Sequence, residues 1–76
     1  MRVTRIEWLD ANQLGDGWTQ YEALDNHRLC TVETSGFIHE ENDQFITIIQ
    51  SHCDNDDFMN AIAIPKSCIV ERKDFA

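Results

Sequence analysis

The run Ser51-His52-Cys53-Asp54 sets a hydroxyl, an imidazole, a thiol and a carboxylate side by side. These are the parts of a nucleophilic relay, in which a base takes the nucleophile's proton and an acid orients the base. The spacing argues against one. Neighbours on an extended strand project to opposite faces, so four consecutive residues cannot form a relay by themselves. The run reads as a strand end. Asp54-Asn55-Asp56-Asp57 starts like a calcium loop but lacks that loop's glycine at position six and bidentate glutamate at position twelve. It reads as an exposed hairpin turn, as does the stretch with Glu40, Glu41 and Asp43. Cys30, His52, Cys53 and Cys68 are all possible zinc ligands, yet they lack the paired short spacings of structural zinc sites. His27, His39 and His52 are expected at the surface or at strand ends. No phosphate-loop or dinucleotide glycine pattern occurs. The expectation is a protein that is not an enzyme and needs neither metal nor cofactor.

The chain carries 6 Lys plus Arg against 14 Asp plus Glu, a net charge of −8. No Lys or Arg lies between Arg28 and Lys66. Nucleic-acid affinity comes largely from basic groups that displace phosphate counterions, so this balance argues against it. It also disfavours anionic membrane surfaces. The acidic residues either keep a small protein soluble or meet a basic partner, through Glu40, Glu41, Asp43, Asp54, Asp56 and Asp57. Trp8 and Trp18 either cover the open ends of the fold, or one of them, with Tyr21, walls a site for a partner or planar ligand.

These residues need elements to hold them. A chain of 76 residues makes a single domain with a small core. Val3 to Leu9 reads as a first strand. Asp10 to Gly17 is a loop. Gln20 to His27 reads as a short helix with Thr19 as N-cap and Glu22 in the capping-box position. Leu29 to His39 is a second strand, with Gly36 marking a bend or bulge. Gln44 to His52 is the strongest β run, and its continuous apolar character places it centrally or buried on both faces. Phe58 to Ile64 and Cys68 to Lys73 complete five strands. Cys30 and Cys68 fall in strand-like runs and are expected to be buried as small hydrophobes. Three cysteines without a C-x-x-C pair fit a reducing cytoplasm. No apolar run approaches membrane-spanning length, and no basic-then-apolar leader opens the chain. A small mostly-β domain of this kind buries its apolar face by curling into a five-stranded, bent antiparallel SH3-like barrel with one short helix.

Residues 29 to 73 resemble the Sm/LSm family, which includes the bacterial Hfq-type proteins. Gly36, Ile38 and Phe45 fall at the spacings of the first Sm motif, and Ile64-Pro65-Lys66-Ser67-Cys68-Ile69 has both isoleucines of the second. The whole chain also looks like small proteins encoded by tailed bacteriophages, through Trp8-Leu9-Asp10, Gly17-Trp18, Gly36 and Ile64-Pro65-Lys66-Ser67. The resemblance implies the barrel fold and rings made by pairing the fourth strand of one subunit with the fifth of the next. It does not carry the family's RNA pocket. Ile46 stands where the family has its base-contacting Asn, Asn42 replaces the motif Asp, and Pro65-Lys66 replaces Arg-Gly.

The expected function is therefore a phage-type interaction module that self-assembles and binds protein, in the host cytoplasm if phage-encoded. A basic host protein is the expected partner. A nucleotide or small-molecule sponge that blunts host defence, and an RNA-binding Sm-like protein, are the alternatives. The fourth run contains no charge between Phe58 and Ile64, whereas charges or prolines normally protect an exposed edge. Asn60, Ile62 and Val70 are expected near the contact between copies.

Overall fold

A computed structural model describes residues 2–15 and 17–75. Five strands and two short helical turns follow one another: β1 (Val3–Asp10), α1 (Tyr21–Asp25), β2 (Cys30–Glu41), β3 (Phe45–His52), β4 (Phe58–Pro65), a 3-10 turn (Lys66–Cys68) and β5 (Ile69–Phe75). They form one antiparallel sheet in the order β4-β3-β2-β1-β5. The mostly-β fold expected from the sequence is present. Among the described residues, no helix is long and apolar enough to cross a membrane.

The long strand β2 serves two neighbours in turn. Its first part, Cys30 to Phe37, pairs with β1. Its last part, Phe37 to Glu41, pairs with β3. Gly36 stands at the changeover. A Cβ there would lie 2.5 Å from the Ile49 carbonyl oxygen and 2.6 Å from Ile48 Cγ2. Only glycine lets β2 approach β3 so closely. A register shift between Ile38 and Glu40 adds to the irregularity of the strand.

The sheet curls over at this point. Strands β1 and β3 are not neighbours, yet Ile6 and Trp8 of β1 share one buried cluster with Ile46, Ile48 and Ile64 of β3 and β4. Alternation explains the membership, since Thr4, Ile6 and Trp8 are the buried face of β1. On β3, Ile46 and Ile48 face this core, while Ile49 is buried on the opposite side at 6% exposure. Central position and two-sided burial are what the apolar run of β3 predicts.

The barrel does not close. Strands β4 and β5 remain the two outer edges of the sheet. The three-residue turn after Pro65 carries β5 across to β1 instead of reversing it beside β4. An ionic clasp holds the curl in place of a backbone seam. Glu41, at the end of β2, receives Arg72 of β5 through two bonds of 2.6 and 3.0 Å and Lys66 of the turn at 2.9 Å. Arg72 Nε also donates to Asp74 Oδ1 at 2.9 Å, and the fully buried Thr4 hydroxyl donates to the same oxygen at 2.7 Å.

Several expected boundaries move. Strand β2 runs on through Glu41, so the turn is Asn42 to Gln44. There Asn42 Oδ1 accepts from the Gln44 and Phe45 amides at 2.8 and 3.0 Å. Helix α1 is a single exposed turn of five residues, preceded by Gln20 without a side-chain cap, not the longer helix capped by Thr19. A turn with nothing packed against it has no means of extending. Cys30 is exposed rather than buried, because it pairs with Asp10 at the end of the β1–β2 ladder, outside the core. Cys68 is half-buried and packs on the core.

The Cα radius of gyration is 15.9 Å, with extents of 50 × 24 × 19 Å. A compact chain of this length has a radius of about 11 Å. Two parts of the chain lack a core. The β3–β4 ladder continues to His52↔Phe58, past the last β2–β3 pair at Phe37↔Ile49, and forms a two-stranded arm. The segment between β1 and β2 exposes all its described residues except the half-buried Leu14 and His27.

Candidate functional site

The chemistry-bearing run of the sequence lies on the arm. Ser51 and His52 end β3, and both are exposed. The His52 ring packs edge-on against Phe37, with centroids 4.9 Å apart. The thiol of Cys53 donates to Asn55 Oδ1, within its own turn. That turn closes on itself through Cys53 N–H to the Asp57 carbonyl at 2.8 Å and Asp56 N–H to the Cys53 carbonyl at 3.2 Å. The thiol is thus spent within its own turn and the imidazole ring packs on Phe37, and no hydrogen bond links Ser51, His52, Cys53 and Asp54 into a relay. Among the described residues, no three His, Cys, Asp or Glu side chains are grouped to hold a metal ion.

The acidic residues divide in two. Glu40, Asp43, Asp54, Asp56 and Asp57 are exposed. Glu41 is not available to a partner. Arg72 and Lys66 hold its carboxyl down to about 2, chiefly through their hydrogen bonds, with Arg2 3.6 Å away. The basic groups that Glu41 meets belong to its own chain. The tryptophans divide likewise. Trp8 is a core residue at 7% exposure, and its indole N–H donates to Thr34 Oγ1 at 3.0 Å, so it offers no wall to a partner. Trp18 is fully exposed and covers nothing, and Tyr21, Leu24 and Leu29, which follow it in the sequence, are also exposed.

The sheet edges carry the largest concentration of uncovered apolar side chains in one element. Every residue of β4 from Phe58 to Ala63 is exposed, and only Ile64 reaches the core. Phe58 is 65% exposed, Met59 62% and Ile62 37%. None of them is charged, and β3 occupies only one side of the strand. On the opposite edge, Val70 and Phe75 are exposed among Glu71, Arg72, Lys73 and Asp74. Asn60, Ile62 and Val70 therefore sit on two free edges.

Two hollows flank the arm. One, of about 340 Å³, opens between the first part of β2 and the arm. The other, of about 260 Å³ and almost wholly apolar, lies over Ile49, Phe58 and Ala61. Sequence reasoning misses both, because each depends on where the curl of β2 leaves the arm. It also misses the left-handed backbone of Asn60, at φ 58° inside β4. The residue type is the available signal, since Asn enters that region more readily than most residues. Comparison with family models, curated proteins and solved structures finds no match for this chain.

Proposed function

We propose that the protein is a non-enzymatic interaction module that assembles with copies of itself through its free sheet edges. The observation that carries this reading is β4, an outer strand that is exposed from Phe58 to Ala63 and has no charge. Soluble proteins protect such an edge with charge, proline or cover, because its unpaired N–H and C=O groups template another strand. Here Pro65 stands only at its end. The partner edge is β5 of a second copy. Its Glu71, Arg72, Lys73 and Asp74 sum to zero charge, and Val70 offers an apolar side chain. Pairing of unlike edges is head-to-tail, so it yields a ring where the rotation closes and a filament where it does not. A small core gains from the apolar area thus buried. The Sm/LSm resemblance supports the same reading.

Sedimentation velocity at micromolar concentration tests the proposal. A species well above 8.8 kDa is expected, and a mass near 8.8 kDa at all concentrations rejects it.

Protein binding is the second part of the reading. The exposed carboxylates of Asp43, Asp54, Asp56 and Asp57 lie on the two hairpin turns that flank β3, and that of Glu40 lies near the end of β2. Their chemistry fits a basic protein surface. Trp18, fully exposed, supplies an aromatic anchor of the kind that dominates such interfaces.

A further inference from the structure

The two halves of the curled sheet part company before Gly36. Thr34 and Ser35 pair with β1 alone, and opposite them stand Gln50 and Asn60 of the arm. The hollow between has a volume of about 340 Å³, at the small end of ligand sites. Ile48 and Ile62 supply apolar walls.

Asn60 gives this hollow its character. Among the described residues, the other non-glycine residue with positive φ, Asp56, lies in a hairpin turn that favours such backbone. Asn60 lies inside a strand, where no turn calls for it. The β3–β4 ladder pairs Ile49 with Ala61 and Ser51 with Met59 but skips the pair between them. A left-handed residue held inside a strand is a local cost, and such costs cluster at binding sites. The return here is the placement of an amide. Asn60 Nδ2 donates to Gln50 Oε1 at 2.7 Å. That bond leaves Asn60 Oδ1 as an acceptor and Gln50 Nε2 as a donor in a site that Thr34 and Ser35 also line.

The charge of the site narrows what it takes. Glu33 is the one ionisable residue of the lining, and its carboxylate is engaged by Arg5. Among the described residues no lysine or arginine lines the hollow, Arg5 is already paired with Glu33, and the net −8 of the chain repels a phosphate. We propose that this hollow binds a small, uncharged, planar heterocycle with an amide-type donor–acceptor edge, as nucleobases have. The Asn60–Gln50 amide pair reads the edge of the ring. Ile48 and Ile62, partners across β3 and β4, pack against one face of it. The site does not depend on pairing between copies.

Trp8 supplies the reporter. Its indole N–H is bonded to Thr34, which lines the hollow, so ring binding changes that proton's environment. The experiment titrates 15N-labelled protein with adenosine, guanosine, cytidine and uridine, and with adenosine monophosphate. At least one nucleoside should move the Trp8 indole resonance and the Thr34 and Ile62 amides together, saturating by millimolar concentration. Adenosine monophosphate should bind no better than adenosine. Asn60→Gly keeps the left-handed backbone and removes the amide. It and Gln50→Ala should each weaken binding by roughly tenfold or more. Three results overturn the proposal: no nucleoside moves these resonances, binding survives both substitutions, or the phosphorylated ligand binds more tightly.

Discussion

A few residues fix this fold by rules that hold one side chain at a time. Gly36 is the clearest. A methyl group there meets the Ile49 carbonyl oxygen at 2.5 Å, and a backbone atom in a central strand cannot step aside. Gly36→Ala should therefore cost about 3 kcal/mol, the upper part of the range for overpacking a core. The urea midpoint measures it, and a loss under about 0.5 kcal/mol, the range of ordinary surface substitutions, would remove the close approach as the reason for the glycine. Glu41 acts through charge. Its carboxyl titrates at about 2 in the folded chain against 4.5 as a free side chain, because Arg72 and Lys66 bind its ionised form. A depressed carboxyl stabilises the fold fully above its unfolded value, and that stability drains away as pH falls toward the folded value. The window therefore runs from pH 4.5 down to about 2. Asp74 is held low by Arg72 and by the Thr4 hydroxyl and shifts stability in the same direction. Thermal melts across this window should show the wild type losing stability while Glu41→Gln, weaker at neutral pH, loses less. Parallel curves would move the acid sensitivity elsewhere.

At the scale of elements, the strands of the core are legible because each obeys a local pattern. The alternation in β1 and the unbroken apolar run of β3 describe their surroundings correctly, and Gly36 marks the bend. The ends of elements are less legible, since contacts distant in sequence set them. Strand β2 continues to Glu41 through its ladder pair with Ile46, and the carboxylate at that end is held by Arg72 and Lys66, more than twenty residues on. No local pattern contains that information. The candidate site divides in the same way. The absence of charge in β4 is written in its residues, whereas its place at the edge and its lack of cover come from the path of β5 after Pro65. The hollow beside Asn60 is a product of the curl alone. The edge reading makes a prediction about a single element. Ile62→Pro removes a backbone donor from β4 and disrupts the strand, so assemblies should dissociate to 8.8 kDa species by sedimentation. Circular dichroism on the dissociated protein separates loss of pairing from loss of fold. Assemblies that survive the substitution would place the contact elsewhere.

For the whole molecule, charge and shape act on association with opposite signs. Each copy carries −8, so bringing copies together costs Coulomb energy whichever surfaces meet. The proposed contact adds no local attraction of charge, because β4 is uncharged and the charges of β5 cancel. Salt shrinks the repulsion, with a Debye length of about 30 Å at 0.01 M and about 10 Å at 0.1 M, both shorter than or comparable to the 50 Å long axis of the protein. Self-association through β4 and β5 should therefore strengthen as salt rises over this range. Binding of a basic partner to Asp54, Asp56, Asp57, Glu40 and Asp43 has the reverse sign, since the attraction itself is screened and the on-rate falls. The same buffer series, read by sedimentation for the first process and by association kinetics for the second, thus separates the two proposed associations. Reversing the charge of Asp54, Asp56 and Asp57 sharpens the comparison. It should slow the partner's association and favour self-association, because it changes the net charge from −8 to −2 without touching either edge strand. Self-association that weakens with salt, or that is lost on this charge reversal, would mean that the acidic turns and not the bare strand edge hold the copies together.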